Sequence, residues 1–261
     1  MKRIFAVCTL ALLASGCSCW CVNDNRSESE TITAVKTTEK ITLDGKLDEA
    51  AWKNAPEHIT HFIDNSGGLP ELKRKRILAD KFEAAGIKVL YDDKYLYVGA
   101  VMHDEDVVSL NKKGLNQTFL YRDADTLEIF MWPVQGQHYW EFYSTPTNNK
   151  TSFFFPSVEM TIDPSLMEKS PIMPGYEVAA TIQGTLNDHS NHDKGWTTEV
   201  RIPLKEINAK GIKFAPGQEW KILFARYNYS HFFYTKQNST YPKLPSFNFH
   251  LRNYYAPVVF K

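Results

Sequence analysis

Cysteine is missing from Val22 to Lys261; the chain's four cysteines, Cys8, Cys17, Cys19 and Cys21, all fall in the first stretch. A folded region without cysteine is neither a disulfide scaffold nor a zinc ribbon, and must be stable through its apolar core. Net charge is also lacking, since 30 Lys and Arg balance 30 Asp and Glu. There is no basic field to draw nucleic acid and no acidic excess to store cations. Long apolar runs are scarce too: the run from Ile4 to Leu13 is too short for a permanent membrane span. Sustained helical periodicity is almost absent, and no break in composition after about residue 35 marks a second domain.

What is present at the N-terminus is an export signal. Lys2 and Arg3 precede the apolar run, and Ala14, Ser15 and Gly16 follow it, immediately before Cys17. Residues 1–16 therefore read as a signal peptide. Their ending resembles a bacterial lipobox, which implies cleavage before Cys17 and a lipid on its sulfur; a plain cleaved signal is the alternative. Acyl chains would tether the protein to a membrane of the cell envelope, with the outer membrane expected and its side left open. Residues 17–38 are polar and read as a lipidated terminus with a flexible linker, leaving 39–261 as the folded domain.

Within that domain, short alternating segments predict strands. Ile87 to Tyr91 and Tyr95 to His103 flank an acidic turn as a hairpin, and His138 to Thr145, Thr151 to Phe155, Tyr176 to Gln183, Trp196 to Pro203, Glu219 to Tyr229 and Tyr254 to Phe260 follow. His58 to Ile63 reads as an edge strand, Leu47 to Asn54 as a short helix anchored by Trp52, Gly67 to Ala84 as an insertion or loop that could hold a helix, and Pro156 to Pro174 as a long loop. Many short strands and frequent turns predict an all-β fold, an antiparallel β-sandwich of immunoglobulin or jelly-roll type.

The stretch Tyr121 to Trp132, YRDADTLEIFMW, organises the rest. Period two places Leu127, Ile129 and Met131 on one face and Glu128, Phe130 and Trp132 on the other. The first face is core. A carboxylate in line with aromatic rings suits a sugar, whose C–H face packs on a ring and whose hydroxyls donate to the acid. In the next strand Tyr139, Glu141 and Tyr143 alternate against His138, Trp140 and Phe142, so Trp140 and the Glu141 set cannot both line one groove.

Five ordered segments then carry a family resemblance: ITLDGKLDEAAW (41–52), IKVLYDDKYLYVGAVMHDEDV (87–107), DADTLEIFMWP (123–133), GWTTEVRIPLKEI (195–207) and SFNFHLRNYYAPVVF (246–260). Together they resemble the family 9 carbohydrate-binding modules and their relatives with DOMON-like sandwiches. The resemblance implies a β-sandwich without catalysis of its own that recognises a glycan, often at a chain terminus. Carried over residue by residue, the carboxylate matches Glu128, the preceding aromatic falls at Tyr121 or Arg122, and the polar position of the next strand falls at Glu141 or Tyr143. A second clamping ring falls at Tyr241 or Phe247, with Asn248 and His250 as neighbours, and Trp140 is added from alternation. The resemblance also implies a structural calcium held by Asp104, Asp106, Asp123 and Asp125, with no other cofactor. Expected partners are a saccharide or glycan terminus, a membrane through the lipid anchor, and a glycosidase or transporter.

Other readings compete with this one. A docking lipoprotein whose sandwich has lost ligand binding is one, and a glycoside hydrolase built on Glu128 and Glu141 is another. Relatives with the same sandwich bind haem, for which Met102 and His103 are candidates, though adjacent strand residues point to opposite faces. Asp188, His189, His192 and Asp193 have donor types suited to a transition metal, set in a polar turn.

Overall fold

Alternating sequence of this kind can bury apolar side chains only by laying one strand face against another layer. In the computed structural model, which describes residues 30–159 and 163–261, it does so with thirteen strands. They are β1 (Ile32–Lys36), β2 (His58–Ile59), β3 (His61–Phe62), β4 (Ala85–Tyr91), β5 (Tyr95–Met102), β6 (Thr126–Pro133) and β7 (Tyr139–Ser144), then β8 (Lys150–Phe155), β9 (Glu177–Gln183), β10 (Gly195–Pro203), β11 (Trp220–Asn228), β12 (Gln237–Tyr241) and β13 (Ala256–Phe260). Short helices α1 (Ala50–Asn54), α2 (Glu71–Ala79), α3 (Pro164–Glu168) and α4 (Leu204–Asn208) lie between them.

The strands follow one path, β8-β7-β6-β11-β13-β1-β4-β5-β10-β9, with β12 joining β11 to β3 and β2 pairing with β4. The path folds back so that the two halves bury one core. Leu127, Ile129 and Met131 of β6 and Ile222 and Phe224 of β11 share it with Ile87 and Val89 of β4, Val98 and Ala100 of β5, and Val200 and Ile202 of β10. Each such side chain removed from water is worth about 1.5–3 kcal/mol.

The all-β expectation is met, but the wholly antiparallel sandwich is corrected. β1 pairs in parallel with both β13 and β4, so the sheet runs unbroken from one layer to the other and approaches a barrel. Ile32–Lys36, assigned by sequence to the linker, is thus a central strand, with Ile32 and Ala34 fully buried. Its short ITAVK run sits in polar surroundings, and both its partners lie far along the chain. β12 was missed for a related reason: QNSTY is polar, yet four of its five residues are buried.

The turn at Asp44-Gly45 shows how an early motif is moored. The backbone N–H groups of Asp44 and Gly45 donate to Glu199 Oε2 at 2.9 and 2.8 Å, and Trp52 Nε1 donates to Glu199 Oε1 at 3.0 Å. Gly45 has φ +81°, and a Cβ there would meet the Ala180 backbone at 2.8 Å, so glycine is required.

A chain beginning at residue 30 should unfold as one cooperative unit. Beginning at residue 39 removes β1 from between two ladders, and either prevents folding or lowers the Tm by at least about 10 °C, as read by circular dichroism.

Candidate functional site

Because the inner faces of β6 and β7 are committed to the core, period two sends Glu128 and Phe130 of β6, and Tyr139, Glu141 and Tyr143 of β7, to the outer face of the same layer. Glu128 sits opposite Tyr143, and Phe130 opposite Glu141, so the two acids are diagonal neighbours. Tyr227 of β11 joins them on that face, beside a turn carrying Phe119 and Tyr121 just before β6. The segment Phe247–His250 and the helix α3, through Pro164 and Met167, form the remaining wall. The result is a pocket of about 350 Å³ lined mainly by aromatic rings. Phe247, Asn248 and His250 are exposed at its rim, whereas Glu128 and Glu141 are each only 2 % exposed.

The rings brace one another. Tyr121 stacks on Tyr227 with centroids 4.7 Å apart and planes at 15°, and meets Tyr143 edge-on at 6.1 Å. Tyr121 is further held because its backbone carbonyl accepts from the Tyr229 hydroxyl at 2.7 Å. Phe247 packs against Phe249 at 5.2 Å, and Phe249 against Tyr227 at 5.5 Å.

The two acids are less well provided for. Tyr143 donates to Glu141 Oε2 at 2.7 Å, but the Oε1 atoms of Glu141 and Glu128 are buried without a hydrogen-bond partner among the described residues. His250 Nδ1 approaches Glu141 Oε1 only to 3.6 Å. Burial pushes the Glu141 carboxyl up to about 7, opposed by hydrogen bonds from Tyr143 and Tyr139. Burial also drives Glu128 well above the usual carboxylate range, and the like charge of Glu141 adds to it. Buried polar atoms are ordinarily paired, so two orphaned acceptors on residues that line one aromatic pocket point to a ligand that donates hydrogen bonds.

Residues 43–222 match the family described as carbohydrate family 9 binding domain-like. The chain belongs to this family. The match spans Tyr121, Glu128, Glu141 and Tyr143 but stops short of Tyr227 and the rim segment 247–250. Solved structures agree on the fold of this family 9-like domain. A family 9 carbohydrate-binding module from Caldicellulosiruptor kristjanssonii in complex with cellotriose is 16 % identical, with a TM-score of 0.54 over 89 % of this chain and 94 % of that one. The same organism's module in complex with glucose is 16 % identical, with a TM-score of 0.50 over 88 % and 95 %. A Bacteroides uniformis protein provisionally described as carbohydrate-binding is 10 % identical, with a TM-score of 0.60 over 89 % and 99 %. No curated protein matches the chain.

In this family 9-like domain the pocket gathers seven of the sequence-derived positions: Tyr121, Glu128, Glu141, Tyr143, Phe247, Asn248 and His250. The other three lie elsewhere. Trp140 points inward to the core beside Trp220, as alternation demands once Glu141 faces out. Arg122 lies over the Phe119 ring at 4.7 Å rather than lining the pocket. Tyr241, at the end of β12, packs on His58 at 4.9 Å and donates to the Thr31 carbonyl, so Phe247 supplies the ring before the last strand. Phe119, Tyr227 and Phe249 were not foreseen; only the strand spacing of Tyr227, two positions after Ala225, hinted at its face.

Of the aspartates named for calcium, Asp104 and Asp125 adjoin each other in the interior, and the protein itself engages their oxygens. Asp104 pairs with Arg226 at 3.0 Å, Asp125 accepts from the backbone N–H groups of Val108 and Tyr229 at 2.6 and 2.7 Å, Asp106 accepts from that of His231 at 2.6 Å, and Asp123 is exposed. Arg226, itself fully buried, supplies the positive charge that a metal would bring. The turn at 188–193 is likewise structural: Asp193 accepts from the Val107 and Thr185 backbones, and Asp188 from Ser190. Met102 is core and His103 exposed, so the two do not meet at one iron. Among the described residues no group of three or more His, Cys, Asp or Glu is placed to hold a metal. Cys17 and the signal peptide lie outside the described residues.

An acid whose folded pKa is raised from 4.5 to about 7 favours the folded state at low pH and loses that advantage as pH rises between the two values. Ligand-free protein should therefore lose up to about 3 kcal/mol of stability through Glu141 from pH 4.5 to 7. In E141Q this part of the pH dependence should vanish, as followed by urea unfolding across the range.

Proposed function

We propose that this chain is a non-catalytic carbohydrate-binding protein of the cell envelope, tethered by a lipid on Cys17, whose outer-face pocket holds a pyranose. The observation that carries this reading is the pair of buried, unpartnered carboxylate oxygens inside an aromatic wall. Ring faces pack against the C–H surface of a sugar, and its hydroxyls donate to the two acceptors that the protein leaves open. A cavity of about 350 Å³ lies at the small end of ligand sites, which suits one sugar residue rather than a long chain. The saccharides in the complexes of the Caldicellulosiruptor modules, glucose and cellotriose, support this class of ligand. Capture of glycans for a partner glycosidase or transporter follows from such a site on an anchored protein.

The same two acids invite comparison with a glycosidase, which needs one carboxyl protonated and its partner ionised. Here both are pushed in the same direction, Glu141 to about 7 and Glu128 well above its usual range. Their separation into acid and nucleophile is not prepared, and we assign them to ligand binding.

Affinity electrophoresis or calorimetry of the full chain should give micromolar-to-millimolar attachment to saccharides. Tyr121→Ala, Glu128→Ala and Phe247→Ala should each weaken it by about tenfold or more. Phe247→Ala should leave the Tm within about 2 °C, since that ring is already exposed at the rim. Prolonged incubation with the bound saccharide should release no new reducing ends. Retention of none by a folded chain would turn the assignment to a docking surface.

A further inference from the structure

The pocket contains two acids and, among its lining residues, neither arginine nor lysine. The basic side chains nearby are engaged outside it. Lys236 sits over the rings of Tyr227 and Tyr229, at 4.8 and 4.9 Å, and donates to the Tyr229 hydroxyl at 3.0 Å. Arg122 covers Phe119 at 4.7 Å, and Arg252 covers Tyr139 at 5.7 Å. His250, at the rim, stays 3.6 Å from Glu141. Neutral hydroxyls can satisfy the two oxygens but cannot stabilise the ionised form of two carboxyls held side by side away from water. An ammonium group does both, with three N–H donors and a full positive charge in a site where water screens little. The tyrosine and phenylalanine rings add the negative faces that attract a cation.

We propose that the preferred ligand is an amino sugar, a hexosamine, with its ammonium group seated between Glu128 and Glu141 among the rings of Tyr121, Tyr143 and Tyr227. This rests on the saccharide reading of the same pocket and narrows it. Binding carries a proton signature. In the free protein burial keeps both carboxyls from ionising readily, and the ammonium draws them to the charged form, so protons are released to the buffer. The groups facing the pair are Tyr121, Tyr139, Tyr143, Tyr227, His250 and, through the Tyr227 ring, Lys236. The tyrosines Tyr121, Tyr139, Tyr143 and Tyr227 are pushed up and stay neutral near pH 7, which leaves His250 and Lys236 as further groups, distinguished from the acids by the loss of proton release in the glutamine variants of Glu128 and Glu141.

The test is calorimetry of the full chain at neutral pH with glucosamine, glucose, N-acetylglucosamine and choline, repeated in two buffers of different ionisation enthalpy. Glucosamine should bind at least about tenfold more tightly than glucose or N-acetylglucosamine, and its binding should release protons to the buffer. Glu128→Gln and Glu141→Gln should bring the glucosamine and glucose affinities together and reduce the proton release without lowering the Tm, because each replaces a buried carboxyl with a neutral amide of nearly the same shape. Glucose binding as tightly as glucosamine would overturn the proposal while leaving the saccharide reading in place. Choline matching glucosamine would also overturn it, since the cation alone would then suffice. A folded chain that binds none of the four would remove both readings together.

Discussion

The register of β6 between β7 and β11 is the constraint on which the rest depends. Leu127, Ile129 and Met131 are at most 1 % exposed and occupy the common core, so Glu128 and Phe130 have only the opposite face available. A slip of one residue would send Glu128 into the core and three aliphatic side chains to the outside, at a cost of several kcal/mol. The same alternation in β7 puts Trp140 and Phe142 inward and Glu141 and Tyr143 outward, and β11 contributes Tyr227 by the same rule. The pocket is therefore a by-product of core packing, and its acids stand where the hydrophobic effect on the far side of three strands holds them.

Several buried acids of this protein are satisfied from within. Glu199 accepts from two backbone N–H groups and the Trp52 indole, Asp125 from two backbone N–H groups, and Asp104 is paired with Arg226. Arg226 in turn donates to the Glu83 and His103 carbonyls at 2.9 and 2.8 Å and to Asn228 at 2.9 Å. These carboxylates tie loops to strands, and their hydrogen-bonding capacity is spent inside the protein. Glu128 and Glu141 are as deeply buried and line the pocket, yet each has an acceptor oxygen without a partner among the described residues. Burial without internal satisfaction destabilises a fold, so such groups mark positions where something outside the chain completes the set.

The loops around the pocket follow a different logic from the strands beneath it. Phe119 and Tyr121 are placed by a short 3₁₀ turn, Leu120–Arg122, three residues ahead of β6, and Phe247–His250 by the connection between β12 and β13. Neither segment has a period of its own. Their rings are held instead by stacking on side chains that the strands present, Tyr121 on Tyr227 and Phe249 on Phe130. Since the family match ends at residue 222, the acids belong to the shared part of the domain, while Tyr227 and the rim segment fall in the remainder. That division gives a physical route to different ligands on one scaffold.

Local pattern carried a good deal of this molecule. Period-two alternation located the β4–β5 hairpin, β6, β7, β10 and β11, and it put Glu128, Glu141 and Tyr143 on faces that could meet, because side-chain direction in a strand depends only on position along it. Other features have no local cause. β1 is a strand because β13 and β4 flank it, and β12 because β11 and β3 pair with its polar residues. Tyr241 and Arg122 were drawn away from the pocket by His58 and Phe119, contacts between segments distant in the chain or off the strand. Asp104 and Asp125 could be read as cation ligands until Arg226 and the backbone N–H groups of Val108 and Tyr229 were seen to occupy them. By itself the sequence determined which residues alternate and hence which side chains share a face; tertiary structure alone decided which face was open, since that depends on what long-range packing lays over it.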